Sequence, residues 1–301
     1  MSTSTSHRPT DQERAERRAR DREYAQQAVE RLRSSNGWQQ WLRTRAAFHS
    51  YSLGNQLLIA MQHSTATQVA GFRAWLKLGY CVRKGEKGIR IWAPCPPTSK
   101  QLETWRQNGS KADERPRTFF KLTAVFAQDQ VQELPPPAVP APIECPIREL
   151  GGDDLGPALP RLIELGAEIG STVSFATIAG GARGFYELDT KRIVIEQAMS
   201  ANQQVATLVH ELAHAQLRAD HQEGDPVLDY ASEELVVESV AFTCVRSLGI
   251  AADANSIPYL AVWAERADLK VIERTAGLID RLARRIETAL HATVAQEQLA
   301  V

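Results

Sequence analysis

The sequence predicts an α+β protein of two domains, and three observations carry that reading. At 301 residues the chain exceeds what one hydrophobic core usually serves. The stretch "ELPPPAVPAPIECP", residues 133–146, holds six prolines, which neither pair as a strand nor continue a helix, so it reads as a stiff, extended linker. On each side of it both helical periodicity and strand-type alternation occur. The resulting divisions are a tail at 1–23, a first domain at 24–132, the linker at 133–146 and a second domain at 147–301. Few contacts need cross such a linker, so residues 1–132 and 147–301 are expected to fold alone.

In order along the chain, the tail interleaves Arg and Glu, which solvates a helix without giving it an apolar face. It is read as disordered or at most a frayed helix. From Tyr24 to Gln62 the pattern turns helical: Trp38, Trp41, Leu42 and Phe48 share a face, and Ser52 is placed to cap the apolar run through Leu57, Leu58, Ile59 and Met61. "GFRAWLKLG" predicts a short helix closed by Gly79. In "CVRKGEKGIRIWAPC" two strand-favouring runs flank a glycine-bearing turn, which predicts a hairpin, and "RTFFKLTAVFA" predicts another strand. Beyond the linker the patterns predict a helix over 157–169 and a hairpin about "LDTK". Three further helices follow, in "NQQVATLVHELAHAQLR", "SEELVVESVAFTCVRSLG" and "LKVIERTAGLIDRLARRIETAL".

Bulk properties remove several classes. A hydrophobic content of 43% and a charged content of 24% are those of a globular protein. The formal net charge of −1 excludes polyanion binding by the chain as a whole, so any nucleic-acid site must be a local patch. No apolar run approaches the ~20 residues that span a bilayer, and the polar N-terminus has no signal core. A cytoplasmic protein with no membrane partner is the expectation. Cys81, Cys95, Cys145 and Cys244 lie far apart without a C-x-x-C pair, and read as free thiols rather than disulfides or a thiolate metal site.

The chemistry concentrates in "TLVHELAHAQL". On a helix His210 and His214, four apart, share a face and can offer two imidazole nitrogens to one ion, with Glu211 close enough to hold and deprotonate a water there. Such pairs also arise by chance on surface helices. Here Leu208, Val209, Leu212, Ala213 and Leu217 mark a buried helix, where two histidines and a glutamate without partners would be costly. A catalytic zinc needs a third protein ligand. Glu234 and Glu238 lie 20 and 24 residues beyond His214, one helical turn apart. Glu233 reads as solvent-facing or as a helix-start charge. Tyr186 can lean toward a substrate carbonyl or simply pack, and His221 reads as ordinary.

Between Gly71 and Lys100, Arg73, Lys77, Arg83, Lys84, Lys87, Arg90 and Lys100 face a single acid, Glu86, with Trp75, Tyr80 and Trp92 interleaved. Cations beside aromatic faces suit single-stranded nucleic acid, whose phosphates need neutralising and whose bases need a stacking surface. Composition leaves equally open a hairpin with solvated lysines and Trp92 in the core.

Two resemblances favour the functional readings. Residues "FHSYSLGNQLLIAMQHSTATQVAGFRAWLKLGYCVRKGEKGIRIWAPC" resemble the N-terminal domain of the ArdC antirestriction family, with Ala127 standing where an acid is common. The HExxH run and "EELVVESVAF" resemble that family's zincin-like metallopeptidase domain, with a thermolysin-type (gluzincin) arrangement. By that resemblance Glu234 is the third Zn²⁺ ligand beside His210 and His214, Glu238 orients a ligand histidine, Glu211 is the catalytic base, and an exchange of roles between Glu234 and Glu238 stays open. The resemblance further implies a small α+β domain that binds single-stranded DNA, through Arg83, Lys84, Lys87, Arg90 and Trp92, joined to a zinc peptidase acting on an unknown protein substrate. The setting it implies is the antirestriction function of a mobile element. The alternative is a non-enzymatic protein that coats single strands and blocks restriction sterically, its metal a structural clamp.

Overall fold

The computed structural model describes residues 11–48, 50–95, 97–107, 119–140, 150–250 and 268–298. Residues 1–10 and the linker from 141 onward, Cys145 included, therefore lie outside the described residues.

The first half is built from helices around a small antiparallel sheet. Helix α1 (Asp11–Glu30) runs over α3 (Leu53–Gln62), and α2 (Ser35–Ala47) lies between them in sequence. Ser34 caps α2 through Gly37 N at 3.0 Å, and Ser52 caps α3 through Asn55 N at 3.4 Å, satisfying N–H groups that a helix start leaves without partners. Strands β1 (Val69–Ala70), β3 (Ile89–Cys95) and β4 (Phe119–Ala127) form one sheet with β4 in the middle. Ile89 and Ile91 pack with Phe48, Ile59, Val125 and Ala127 on one face. The outer edge of β3 is closed by side chains of α3. Asn55 bonds both the N–H and the C=O of Trp92 at 2.8 Å, and Gln62 does the same to Arg90 at 2.8 and 2.9 Å. Two amides thus substitute for a neighbouring strand at Arg90 and Trp92.

Short helix α4 (Phe72–Lys77) leads into β2 (Tyr80–Val82). The predicted hairpin does not form. Strand β2 pairs with β5 (Val131–Glu133), whereas β3 pairs with β4. The reason lies in burial: Tyr80 joins Trp75 and Val131 in one small cluster, while Ile89 and Ile91 belong to another. The "KGEKG" turn, with Gly85 at φ +93°, carries the chain between two sheets rather than back along one. Helix α5 (Ser99–Gln107) follows β3.

In the second half α6 (Leu159–Glu168) is followed by β6 (Thr172–Ala176), β7 (Gly184–Glu187) and β8 (Arg192–Glu196). The sheet order is β6-β8-β7, with β6 parallel and β7 antiparallel to β8, so the hairpin about "LDTK" forms as expected. Helices α7 (Ala201–Ala219), α8 (Tyr230–Ser247) and α9 (Leu269–Gln298) complete it.

The expected independence of the halves is corrected by the core. One continuous cluster joins Trp38, Trp41 and Leu58 to Leu212, Val236 and Ile279 across the linker. Helix α2 packs directly on α8. Arg45, fully buried on α2, sends its guanidinium into α9: Nε reaches Asp280 Oδ1 at 3.1 Å and Nη2 reaches Glu287 Oε2 at 2.9 Å, with Nη1 on the second Glu287 oxygen. Gln56 joins the group by donating to Asp280 at 3.0 Å and accepting from Trp41 Nε1 at 3.3 Å. The segment expected to be a tail is also more ordered than its composition predicts. Asp21 pairs with Arg90 at 3.2 Å and Ala28 is buried, so tertiary contacts hold a helix that lacks an apolar stripe of its own.

Replacing Arg45 by Met takes the guanidinium from Glu287, itself 2% exposed. Loss of one partner of a buried pair costs about 3–5 kcal/mol. The loss should appear in a single urea transition, coincident by far-UV circular dichroism and tryptophan fluorescence. Two transitions, only one of them displaced, would mean that the halves unfold separately.

Candidate metal centre

Helix α7 begins with a capping box: Gln203 N donates to Ser200 Oγ at 3.4 Å, and Ser200 N donates to Gln203 Oε1 at 3.2 Å. Leu208, Val209, Leu212 and Ala213 are fully buried on its core side. His210 and His214 fall on the opposite side, their rings edge-to-face with centroids 5.0 Å apart. Helix α8 is started by Asp229, which accepts from Ser232 N at 2.9 Å, and it presents Glu233, Glu234 and Glu238 to the same space.

There one ligand atom each from His210, His214 and Glu234 comes within 4.8 Å of the other two. Glu234 Oε1 lies 3.4 Å from His214 Nε2. The remaining imidazole nitrogens face other carboxylates: His210 Nδ1 lies 3.5 Å from Glu238 Oε1, and His214 Nδ1 lies 3.3 Å from Glu233 Oε1. Glu233 is thus neither solvent-facing nor a simple helix-start charge. It is 12% exposed and bridges His214 to Arg218. The one hint in the sequence was Arg218, a helical turn beyond His214, but its partner is set only by how α8 docks on α7.

Glu211 is buried beside these groups. Burial, and then the charges of Glu234 and Glu238, push its carboxyl up to about 7, while a hydrogen bond from the Tyr186 N–H works the other way. Burial, and then His214, lower His210 to about 4. Among the described residues no lysine or arginine pairs with Glu211, Glu234 or Glu238. Two imidazoles and three carboxylates are gathered without a counter-charge, and a divalent cation is the charge this donor set lacks.

Strand β7 borders the site and, among the described residues, pairs with β8 alone. Gly184 lets it lie against α7, since a Cβ there would meet Thr207 Cγ2 at 2.7 Å and Ile195 Cδ1 at 3.1 Å. The Tyr186 ring packs against the core, so the packing alternative holds for its side chain and only its backbone reaches Glu211. A cavity of about 390 Å³ opens between α7 and α8, lined by Arg183, Thr207, His210, Glu211, Glu238 and Phe242 among others. His221 lies outside the site, 68% exposed and 3.9 Å from Asp225.

The residues expected to bind DNA are not brought together as one face. Lys84 and Lys87 are exposed on the turn. Arg83 is engaged by Glu86 at 3.0 Å and by the carbonyls of Asp129 and Val131. Arg90 pairs with Asp21 and lies 5.5 Å over the Tyr24 ring. Trp92 is half-buried against the main core.

Comparison with known proteins agrees with this architecture. Residues 16–126 match the family model described as the N-terminal domain of anti-restriction factor ArdC. Residues 159–270 match one described as "Putative metallopeptidase family". The chain is an ArdC-like protein. Its α+β architecture in two domains follows the two matches. A curated relative of the ArdC-like chain, an uncharacterized protein of Bacillus anthracis, is 22% identical over 282 residues and spans 80% of this chain. The chain in turn spans about half, 47%, of that relative's length. Crystal structures of the antirestriction protein ArdC from the R388 plasmid are also similar. The Mn(II)-bound form is 22% identical, covers 78% of this chain and 82% of its own, and has a TM-score of 0.46. For the metal-free form the values are 21%, 80%, 82% and 0.44. No described helix of the ArdC-like chain is long and apolar enough to cross a membrane.

The closeness of β7 to α7 has a measurable consequence. Gly184→Ala should destabilise the protein by about 1–3 kcal/mol, the usual range for overpacking. Adding Thr207→Ser, which removes the Cγ2 in the way, should recover part of that loss. Strictly additive effects in urea denaturation would show that the two elements do not press on each other.

Proposed function

We propose that this chain is a metal-dependent peptidase fused to a domain that binds single-stranded DNA, acting in the cytoplasm in an antirestriction setting. The observation that carries the peptidase reading is the convergence of His210, His214 and Glu234 within 4.8 Å, with Glu211 buried beside them. These three residues would hold a divalent ion, Zn²⁺ first among the candidates, although two imidazoles and a carboxylate also accept Mn²⁺. When bound, such an ion supplies Lewis acidity toward a peptide carbonyl and toward water.

The chain's own residues do the rest. Glu233 and Glu238 hold the Nδ1 sides of His214 and His210, fixing ring orientation. Glu211, adjacent to His210 in the helix and held by the Tyr186 N–H, takes a proton from the attacking water and returns it to the leaving amine. A C–O bond forms and the peptide C–N bond breaks. The side of β7 away from β8 has no strand partner among the described residues and would offer backbone groups to an extended peptide, as an edge strand does. In the first domain, Lys84 and Lys87 remain free to meet phosphates.

Glu234→Ala and His210→Ala should each bring zinc content well below one equivalent in elemental analysis. Glu233→Ala and Glu238→Ala should weaken zinc by about 10- to 100-fold, as lost orienting contacts do. Full zinc in Glu234→Ala with none in Glu238→Ala would exchange their roles. Glu211→Gln should keep the metal and end peptide cleavage. The cleavage assay is incubation with host lysate, with and without single-stranded DNA, read by sequencing of new peptide N-termini. Unchanged antirestriction in Glu211→Gln would instead favour the steric reading, with the ion as a clamp between α7 and α8.

A further inference from the structure

With Trp92 half-buried, and Arg83 and Arg90 engaged within the protein, the strand–turn segment lacks an open aromatic face. Helix α4 has one. It is pinned by a single side chain: Trp75 is 1% exposed, stacks edge-on against Tyr80 at 5.8 Å and donates Nε1–H to Phe126 O at 2.8 Å. The rest of the helix faces outward. Phe72 is 51% exposed and Leu76, one turn on, 39%. Arg73 and Lys77 form a parallel exposed pair, also one turn apart. This short helix thus sets an exposed aromatic ring and an exposed Leu beside two cations.

The turn lysines extend this face. Gly79, at φ +87°, follows α4, and β2 packs against that helix. Arg83 N–H donates to Gln130 O at 3.0 Å, and Gln128 Oε1 accepts from the N–H groups of Thr67 and Gln68 at 3.1 Å, so residues 128–130 tie the turn bearing Lys84 and Lys87 to the chain just ahead of Phe72. Arg73, Lys77, Lys84 and Lys87 have no ion pair among the described residues. Nearby acids are largely spent: Glu86 is held by Arg83 and Gln130, and Asp129 pairs with His63 at 3.1 Å, leaving Glu133 opposite Tyr80.

We propose that the outward face of α4, continued by Lys84 and Lys87, is the surface on which single-stranded DNA lies, with a base stacked on Phe72 and phosphates on the four cations. The charge pattern selects a polyanion. The exposed ring selects one whose bases are not already stacked in a duplex. This rests on the single-strand reading above and moves its aromatic contact from Trp92 to Phe72.

The test uses the full-length chain and a fluorescent oligodeoxythymidylate, with anisotropy titrations over a range of salt. Phe72→Ala should weaken binding about 5- to 150-fold, the range for loss of one stacked base, with the salt slope and melting temperature unchanged. Phe72→Trp should retain affinity. Arg73→Ala with Lys77→Ala should reduce the log–log salt slope by about 1.4, at about 0.7 per phosphate contact. Trp92→Ala should lower the melting temperature. Wild-type affinity and slope in the α4 variants, with the parent still binding the oligonucleotide, would overturn this surface while leaving the single-strand reading intact. A parent chain that does not bind the oligonucleotide, or binds duplex equally well, would overturn both.

Discussion

Arg45 is the side chain on which the assembly of this protein turns. It lies wholly inside the molecule, on a helix of the first domain, and its charge is met by Glu287 and Asp280 from the last helix. A guanidinium in that position is tolerated only if its partners arrive with it. The ion pair forces α2 and α9 together, and with them the two tryptophans, Trp38 and Trp41, that fill the space on α2. Helix α8 is caught between α2, α7 and α9. Its apolar residues, Leu235, Val236, Val240 and Phe242, belong to the core shared by both domains.

That arrangement explains how α8 can carry three glutamates into a buried site. Packing fixes its axis and rotation, so Glu233, Glu234 and Glu238 project toward α7 at a defined height. Glu233 is neutralised by Arg218, while Glu234 and Glu238, among the described residues, are paired with imidazoles beside the raised carboxyl of Glu211. The mutual repulsion of these acids is sustained by the core around them. The first domain therefore contributes to the candidate centre as part of the wall against which α8 is held, without lending it a side chain.

What the sequence made legible follows local rules. The four-residue spacing of His210 and His214 needs only a helix to become a face, and the apolar residues around them needed only a core. Ser52 caps α3 and the "LDTK" hairpin forms because both depend on nearest neighbours. Glu234 could be ranked ahead of Glu238 only through family resemblance, because their spacing alone is symmetric. The misreadings came from tertiary choices. Strand β2 had two possible partners, and burial of Tyr80 with Trp75 selected β5. Glu233 looked like a surface charge because its partners, His214 and Arg218, lie on another helix. The proline-rich linker suggested independence because the contacts that join the domains lie in α2, α8 and α9, far from it in sequence.

Two imidazoles and one carboxylate from α7 and α8 are proposed to hold a divalent ion beside Glu211. X-ray absorption at the zinc edge of the loaded full-length protein reads those ligands themselves. Two imidazole ligands at ~2.0 Å are expected, with oxygen completing the shell and no sulfur. A spectrum with sulfur neighbours, or with fewer than two imidazoles, would rule this ligand set out.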